Sequence, residues 1–78
     1  MTLEIISAHE VMYKGEADSV TLPGVLGSFT VLKNHASLIS VLNPGKVRFR
    51  RPGGGEQAFD IKGGLADIDN NVVSVCIY

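Results

Sequence analysis

Apolar residues recur in this chain at every second position, in short runs, and that period belongs to strands with one buried and one wet face. Val47 and Phe49 alternate with Lys46, Arg48 and Arg50, while Phe59 and Ile61 oppose Ala58, Asp60 and Lys62. From Glu16 to Leu22 the alternation sets Asp18, Val20 and Leu22 on one face and Ala17, Ser19 and Thr21 on the other. Val72 to Tyr78 is β-branched and almost wholly apolar, the pattern of a strand covered on both faces. Cys76, between Val75 and Ile77, then reads as a small core residue.

Turn chemistry separates these runs. Pro23-Gly24, Gly27, Asn34, Asn43-Pro44-Gly45, Pro52 to Gly55, Gly63-Gly64 and Asp69-Asn70-Asn71 all favour bends. Short strands at such spacing predict an all-β sandwich or barrel built from hairpins. Lys33 to Leu42, rich in β-branched residues and serine, predicts one turn and a strand rather than a helix.

With 78 residues the chain is expected to form a single domain over 1–78, too small for a large core. Small domains draw extra stability from disulfides, a metal or a partner. Cys76 is the only cysteine, so no internal disulfide forms, and with His9 and His35 scattered it cannot supply a zinc site. A partner remains. An apolar fraction of 45% is large for so little interior, and surplus apolar surface is how binding patches look. The net charge of −1 argues against a general electrostatic grip on nucleic acid or acidic lipid. The N-terminus lacks the features of a signal peptide, and no apolar run has the length of a membrane-spanning helix.

The candidate chemical motifs fail on their own terms. Pro52-Gly53-Gly54-Gly55 is followed by Glu56-Gln57, with an acid where a phosphate loop carries lysine. Asp67-Ile68-Asp69-Asn70-Asn71 opens like a calcium loop, but Val72 stands where the obligatory glycine belongs. No histidine lies near Cys76 in sequence, and no serine sits in a Gly-x-Ser-x-Gly elbow. No catalytic residue, cofactor or metal is therefore expected. Lys46, Arg48, Arg50 and Arg51 leave one alternative open, a free-standing sandwich or barrel binding nucleic acid or an acidic partner. Against nucleic acid, a stacking strand needs exposed aromatics, and Phe49 falls with Val47 on the apolar face.

Taken together, Leu22-Pro23-Gly24-x-x-Gly27-x-Phe29-x-Val31-Leu32 and His35-Ala36-x-Leu38 resemble the epsilon subunit of the bacterial rotary ATP synthase. Leu42-x-Pro44-Gly45-x-Val47, Gly63-Gly64 and Asn71-x-Val73-x-Val75 continue the match in one register along essentially the whole chain. The opening Leu3-Glu4-Ile5-Ile6-Ser7 and Tyr13-x-Gly15 fit too. The chain departs from the common family pattern in carrying Lys33-Asn34 before the histidine and Ser37 after Ala36.

The resemblance implies a ten-stranded β-sandwich of two packed antiparallel sheets, without the C-terminal helical hairpin of longer members. It implies a non-catalytic part of the rotor's central stalk, linking the gamma subunit to the ring of proton-carrying c subunits so that proton flow drives ATP synthesis. Such a subunit lies at the cytoplasmic face of the bacterial inner membrane, held there through the complex. Val25 and Leu26, apolar at the tip of a turn, are expected to face the c-ring together with Ser28, His35, Ala36 and Leu38 on the matching family positions, and Ser7 the gamma subunit.

Overall fold

The computed structural model describes residues 1–78 and contains nine strands and no helix. In chain order these are β1 (Thr2–Ile6), β2 (Val11–Glu16), β3 (Ser19–Gly24), β4 (Gly27–Leu32), β5 (Leu38–Leu42), β6 (Gly45–Arg50), β7 (Glu56–Ile61), β8 (Gly64–Asp69) and β9 (Val72–Ile77). They hydrogen-bond along one path, β2-β1-β9-β8-β5-β3-β6-β7, with β4 on the second side of β3. The path folds over at its weakest link, the single pairing of Gly24 with Leu42. One layer is thus β2-β1-β9-β8-β5 and the other β4-β3-β6-β7.

Backbone bonds lock this corner. The Val25 N–H donates to the Val41 carbonyl at 2.9 Å and the Asn43 N–H to the Pro23 carbonyl at 2.8 Å. Gly24 is required there for space: a Cβ would lie 2.7 Å from the Gly27 carbonyl oxygen and 2.9 Å from the Phe29 ring. Gly27 follows with φ +129°, in the region that glycine enters without steric cost.

Alternate residues of both layers point inward and make one core. Leu3, Ile5, Ala66, Ile68, Val73 and Val75 come from the first layer, and Val20, Leu22, Val31, Val47 and Phe49 from the second. Phe49 is the largest of them. Its ring stacks near that of Phe59 at 6.0 Å and meets Tyr13 across the layers at 4.4 Å between centroids. Full burial of such side chains contributes roughly 1.5–3 kcal/mol each, which is how a domain this small stays folded.

An all-β sandwich is what the period-two pattern predicts, but four details differ from expectation. The ladder has nine strands, not ten. Residues 7–10, 33–37 and 51–55 are closed by turns whose backbone bonds are local, such as Ser7 N–H to the Glu10 carbonyl and His35 N–H to the Leu32 carbonyl, and add no strand. The sheets are not wholly antiparallel, because β1 and β9 pair in parallel where the two ends of the chain meet.

The run from Glu16 to Leu22 is not one strand. The chain turns at Ala17 and Asp18, whose N–H groups donate to the carbonyls of Met1 and Arg50. Ala17 is buried there and Asp18 exposed, out of phase with the buried Val20 and Leu22. Finally, β9 is covered on one face only, so Cys76 is exposed rather than a core residue. Its apolar run was long enough for a doubly covered strand, but no element lies over the outer side of its layer.

Candidate docking surfaces

The tight β3–β4 hairpin raises two apolar side chains into solvent. Gly24 pairs with Gly27, so Val25 and Leu26 form the two-residue tip, and Leu26 is fully exposed. Beside the tip lies an open depression of about 500 Å³. Ser28 and Phe29 of β4 and Leu38, Ile39, Ser40 and Val41 of β5 complete its lining. Among the residues expected to face the c-ring, the structure therefore brings Val25, Leu26, Ser28 and Leu38 together.

His35 and Ala36 lie elsewhere, in the turn after the other end of β4. Asn34 anchors that turn in a left-handed conformation, φ 66°. Its N–H donates to Asn71 Oδ1 at 2.6 Å, and Asn71 Nδ2 donates back to Asn34 Oδ1 at 3.1 Å. The Ser37 hydroxyl donates to Asp69 Oδ1 at 2.5 Å, and His35 Nδ1 lies 2.7 Å from the Ala36 carbonyl. The oxygens that suggested a calcium loop at Asp69 and Asn71 are thus spent on fixing this turn. Asn70 and Asn71, with φ 50° and 62°, make the two-residue β8–β9 hairpin turn.

Ser7 organises the β1–β2 turn. Its hydroxyl oxygen accepts from the N–H groups of His9 at 3.3 Å and Glu10 at 3.2 Å. The turn borders a second open depression of about 560 Å³, shared with Met12, Ile61, Lys62, Ile77 and Tyr78.

The basic strand takes a different role from the one a nucleic-acid surface needs. On β6, Lys46 Nζ lies 2.9 Å from Asp60 Oδ1 and Arg50 3.6 Å from Glu56, both on β7. Thr21 and Thr30 share a hydroxyl hydrogen bond of 2.9 Å on the same outer face. Phe49 is buried and Phe59 half-buried, so no aromatic is presented for stacking beside these cations. The glycine-rich loop is a hairpin turn that runs straight into β7, with Gly53 and Gly54 at φ 91° and 94°.

One surface feature escaped the sequence reading. Val41, Leu65, Cys76, Ile6 and Val11 stand directly opposite one another on β5, β8, β9, β1 and β2. They form an apolar row across the whole outer face of that layer, half-buried at Ile6 and exposed at the other four. Positions so far apart in the chain are joined only by register, so their one trace in the sequence is the surplus of apolar residues.

These observations define a class, a small β-sandwich module that leaves substantial apolar surface exposed. Residues 1–77 match the family model for the ATP synthase Delta/Epsilon chain, beta-sandwich domain. The chain belongs to that family. The ATP synthase epsilon chain of Bordetella petrii is 37% identical over 75 residues, covering 96% of this chain and 53% of the relative. That of Chlorobaculum tepidum is 40% identical over 70 residues, covering 90% of this chain and 80% of the relative. This chain thus spans about half the length of the Bordetella petrii relative.

Solved structures agree. A chain of the Euglena gracilis mitochondrial ATP synthase, in an assembly described as OSCP/F1/c-ring, superposes with TM-score 0.89 at 26% identity. The match covers 96% of this chain and 48% of that one. A chain from the central stalk/c-ring of the Tetrahymena thermophila mitochondrial ATP synthase shares the fold, with TM-score 0.83 at 13% identity.

Proposed function

We propose that this domain is a non-catalytic rotor part of a bacterial proton-translocating ATP synthase, linking the gamma subunit to the c-ring so that proton flow drives ATP synthesis. It acts at the cytoplasmic face of the inner membrane, peripheral to the bilayer and held through the complex. Membership of the synthase family supports the assembly. The observation that carries the docking role is the Val25–Leu26 tip, two apolar side chains held in water beside a largely apolar depression.

A two-residue hairpin between paired strands is stiff, so little conformational entropy is lost when it docks. In this reading Val25, Leu26, Ser28 and Leu38 make one contact with the ring, His35 and Ala36 make a second from the far end of β4, and Ser7 lies towards gamma. Ser28 carries no charge, so the first contact depends little on salt.

Oxidative cross-linking in the assembled synthase tests this. With Cys76 replaced by alanine, a cysteine at Ser28 should cross-link to one placed in the polar loop of the c subunit, and a cysteine at Gly54, in a loop at the opposite end of the sandwich, should not; a cysteine at His35 tests the second contact by itself. Cross-linking from Gly54 alone would place the domain upside down.

A further inference from the structure

One cation on the β4-β3-β6-β7 layer has no counter-charge, and its surroundings describe the group that would supply one. Lys46, Arg48 and Arg50 all face outward along β6. Lys46 stands opposite Asp60 and Arg50 opposite Glu56, but Arg48 falls between Ala58 on β7 and Thr21 on β3. A methyl and a hydroxyl cannot neutralise a guanidinium. The Arg48 side chain accordingly makes no ion pair or hydrogen bond within the chain.

Further donors gather beside it. Ser19 is the β3 partner of Arg50 and Thr21 that of Arg48, so two hydroxyls and two guanidiniums make the corners of a square on adjacent strands. They border an open depression of about 210 Å³ that Phe49 and Glu56 complete. The Ser19 hydroxyl has no partner in the chain, and Thr21 shares only the Thr30 hydroxyl. Arg50 lies 3.6 Å from Glu56, too far for a hydrogen bond, and its side chain is half exposed. Both guanidinium forks are therefore open to a ligand.

This donor set selects the ligand. Phe49 is the one hydrophobic residue of the lining and its side chain is buried, so an apolar molecule gains nothing here. Guanidinium forks match the paired oxygens of a carboxylate or a phosphate. A carboxylate presents two oxygens in a plane. A phosphate spreads its oxygens around a tetrahedral centre, within reach of forks and hydroxyls that come from two strands. Charge favours it as well. Two guanidiniums against one carboxylate leave the depression positive, and a doubly charged phosphate gains more from that than a single charge does.

We propose that Ser19, Thr21, Arg48 and Arg50 hold a phosphate group, with Arg48 as its main anchor. The site lies at the other end of β3 from the hairpin tip and on the other layer from the apolar row. It is independent of the stalk role, and the domain alone can fill it.

The full chain, isotope-labelled, is titrated with inorganic phosphate at fixed pH and low ionic strength, with sodium chloride holding the salt constant. Two-dimensional NMR follows the amides and the arginine Nε–H signals. Shifts should concentrate at Ser19, Thr21, Arg48 and Arg50 and saturate in the millimolar range. Arg48→Gln, an exposed change, should weaken binding about tenfold or more, because a charge-assisted fork is lost. Lys46→Gln removes the same charge from the same strand and should leave the affinity almost unchanged.

A parallel titration with ADP separates the sources of the phosphate. Tighter binding than inorganic phosphate at the same four residues assigns the site to a nucleotide, and equal or weaker binding assigns it to free phosphate. Shifts that never saturate, or that fall equally on Lys33, Lys46 and Lys62, are those of charge screening alone and overturn the proposal. Undiminished binding by Arg48→Gln overturns it too.

Discussion

The two outer faces of the sandwich are built from strands of similar length and come out opposite in character. On β4-β3-β6-β7 the outer face is mostly polar and several of its groups answer one another, Lys46 with Asp60, Arg50 with Glu56 and Thr21 with Thr30, while Arg48 stands exposed without an ion pair. On β2-β1-β9-β8-β5 an apolar row crosses every strand and no group of this chain covers it. A face whose polar groups pair among themselves is complete in water. A face carrying exposed Val, Leu and Cys in line keeps apolar surface open for further contact. Both faces rest on one core, so they can be separated by mutation only from outside.

The largest effect should come from the shared core. Phe49→Ala removes the ring that Tyr13 and Phe59 pack against and should cost about 3–5 kcal/mol, comparable with the whole stability of so small a domain. Urea denaturation should show a mostly unfolded chain, with both faces lost together. Next in size, Leu65→Asp should leave the melting temperature nearly unchanged yet weaken attachment to the rest of the synthase by about 2 kcal/mol or more, about thirtyfold. Arg48→Asp on the opposite face should leave the affinity as it was. Equal losses from the two variants would erase the distinction between the faces.

Asn71 sharpens the comparison at the edge of the apolar face. Asn71→Val forces a β-branched residue to φ 62° and should cost about 1–3 kcal/mol. Asn71→Gly keeps the backbone free and loses only the bonds to Asn34, so it should cost about 1 kcal/mol. Thermal unfolding of the pair separates the two terms. Smallest of all, Lys46→Ala breaks a solvent-exposed ion pair and should change stability by less than about 1 kcal/mol.

The fold was legible where one residue decides one thing. Val47 and Phe49 show the inward face of β6 through alternation alone, and Gly24-x-x-Gly27 marks the tight hairpin whose tip carries Val25 and Leu26. Coverage was not legible. The run Val72 to Ile77 reads the same whether one face is buried or two, because what lies over a strand is decided by the rest of the chain. Cys76 was misplaced for that reason. The break at Ala17 and Asp18 was hidden because alternation continues through it, and only the hydrogen bonds to Met1 and Arg50 reveal the turn.

The candidate sites divide in the same way. Val25, Leu26 and Ser28 are near in sequence and near in space. His35 and Ala36 follow closely along the chain, yet the Asn34–Asn71 pair ties them to the far hairpin. The apolar row was out of reach, since positions 6, 11, 41, 65 and 76 become neighbours only through register.

The asymmetry of the two faces is tested most directly by hydroxyl-radical footprinting of the free domain and of the assembled synthase. Oxidation at Val41, Leu65 and Cys76 should fall sharply in the assembly, while Arg48 and Arg50 on the outer face of the other layer keep the rates of the free chain. Protection of Arg48 and Arg50, with Leu65 and Cys76 still oxidised at the free rate, would contradict the account.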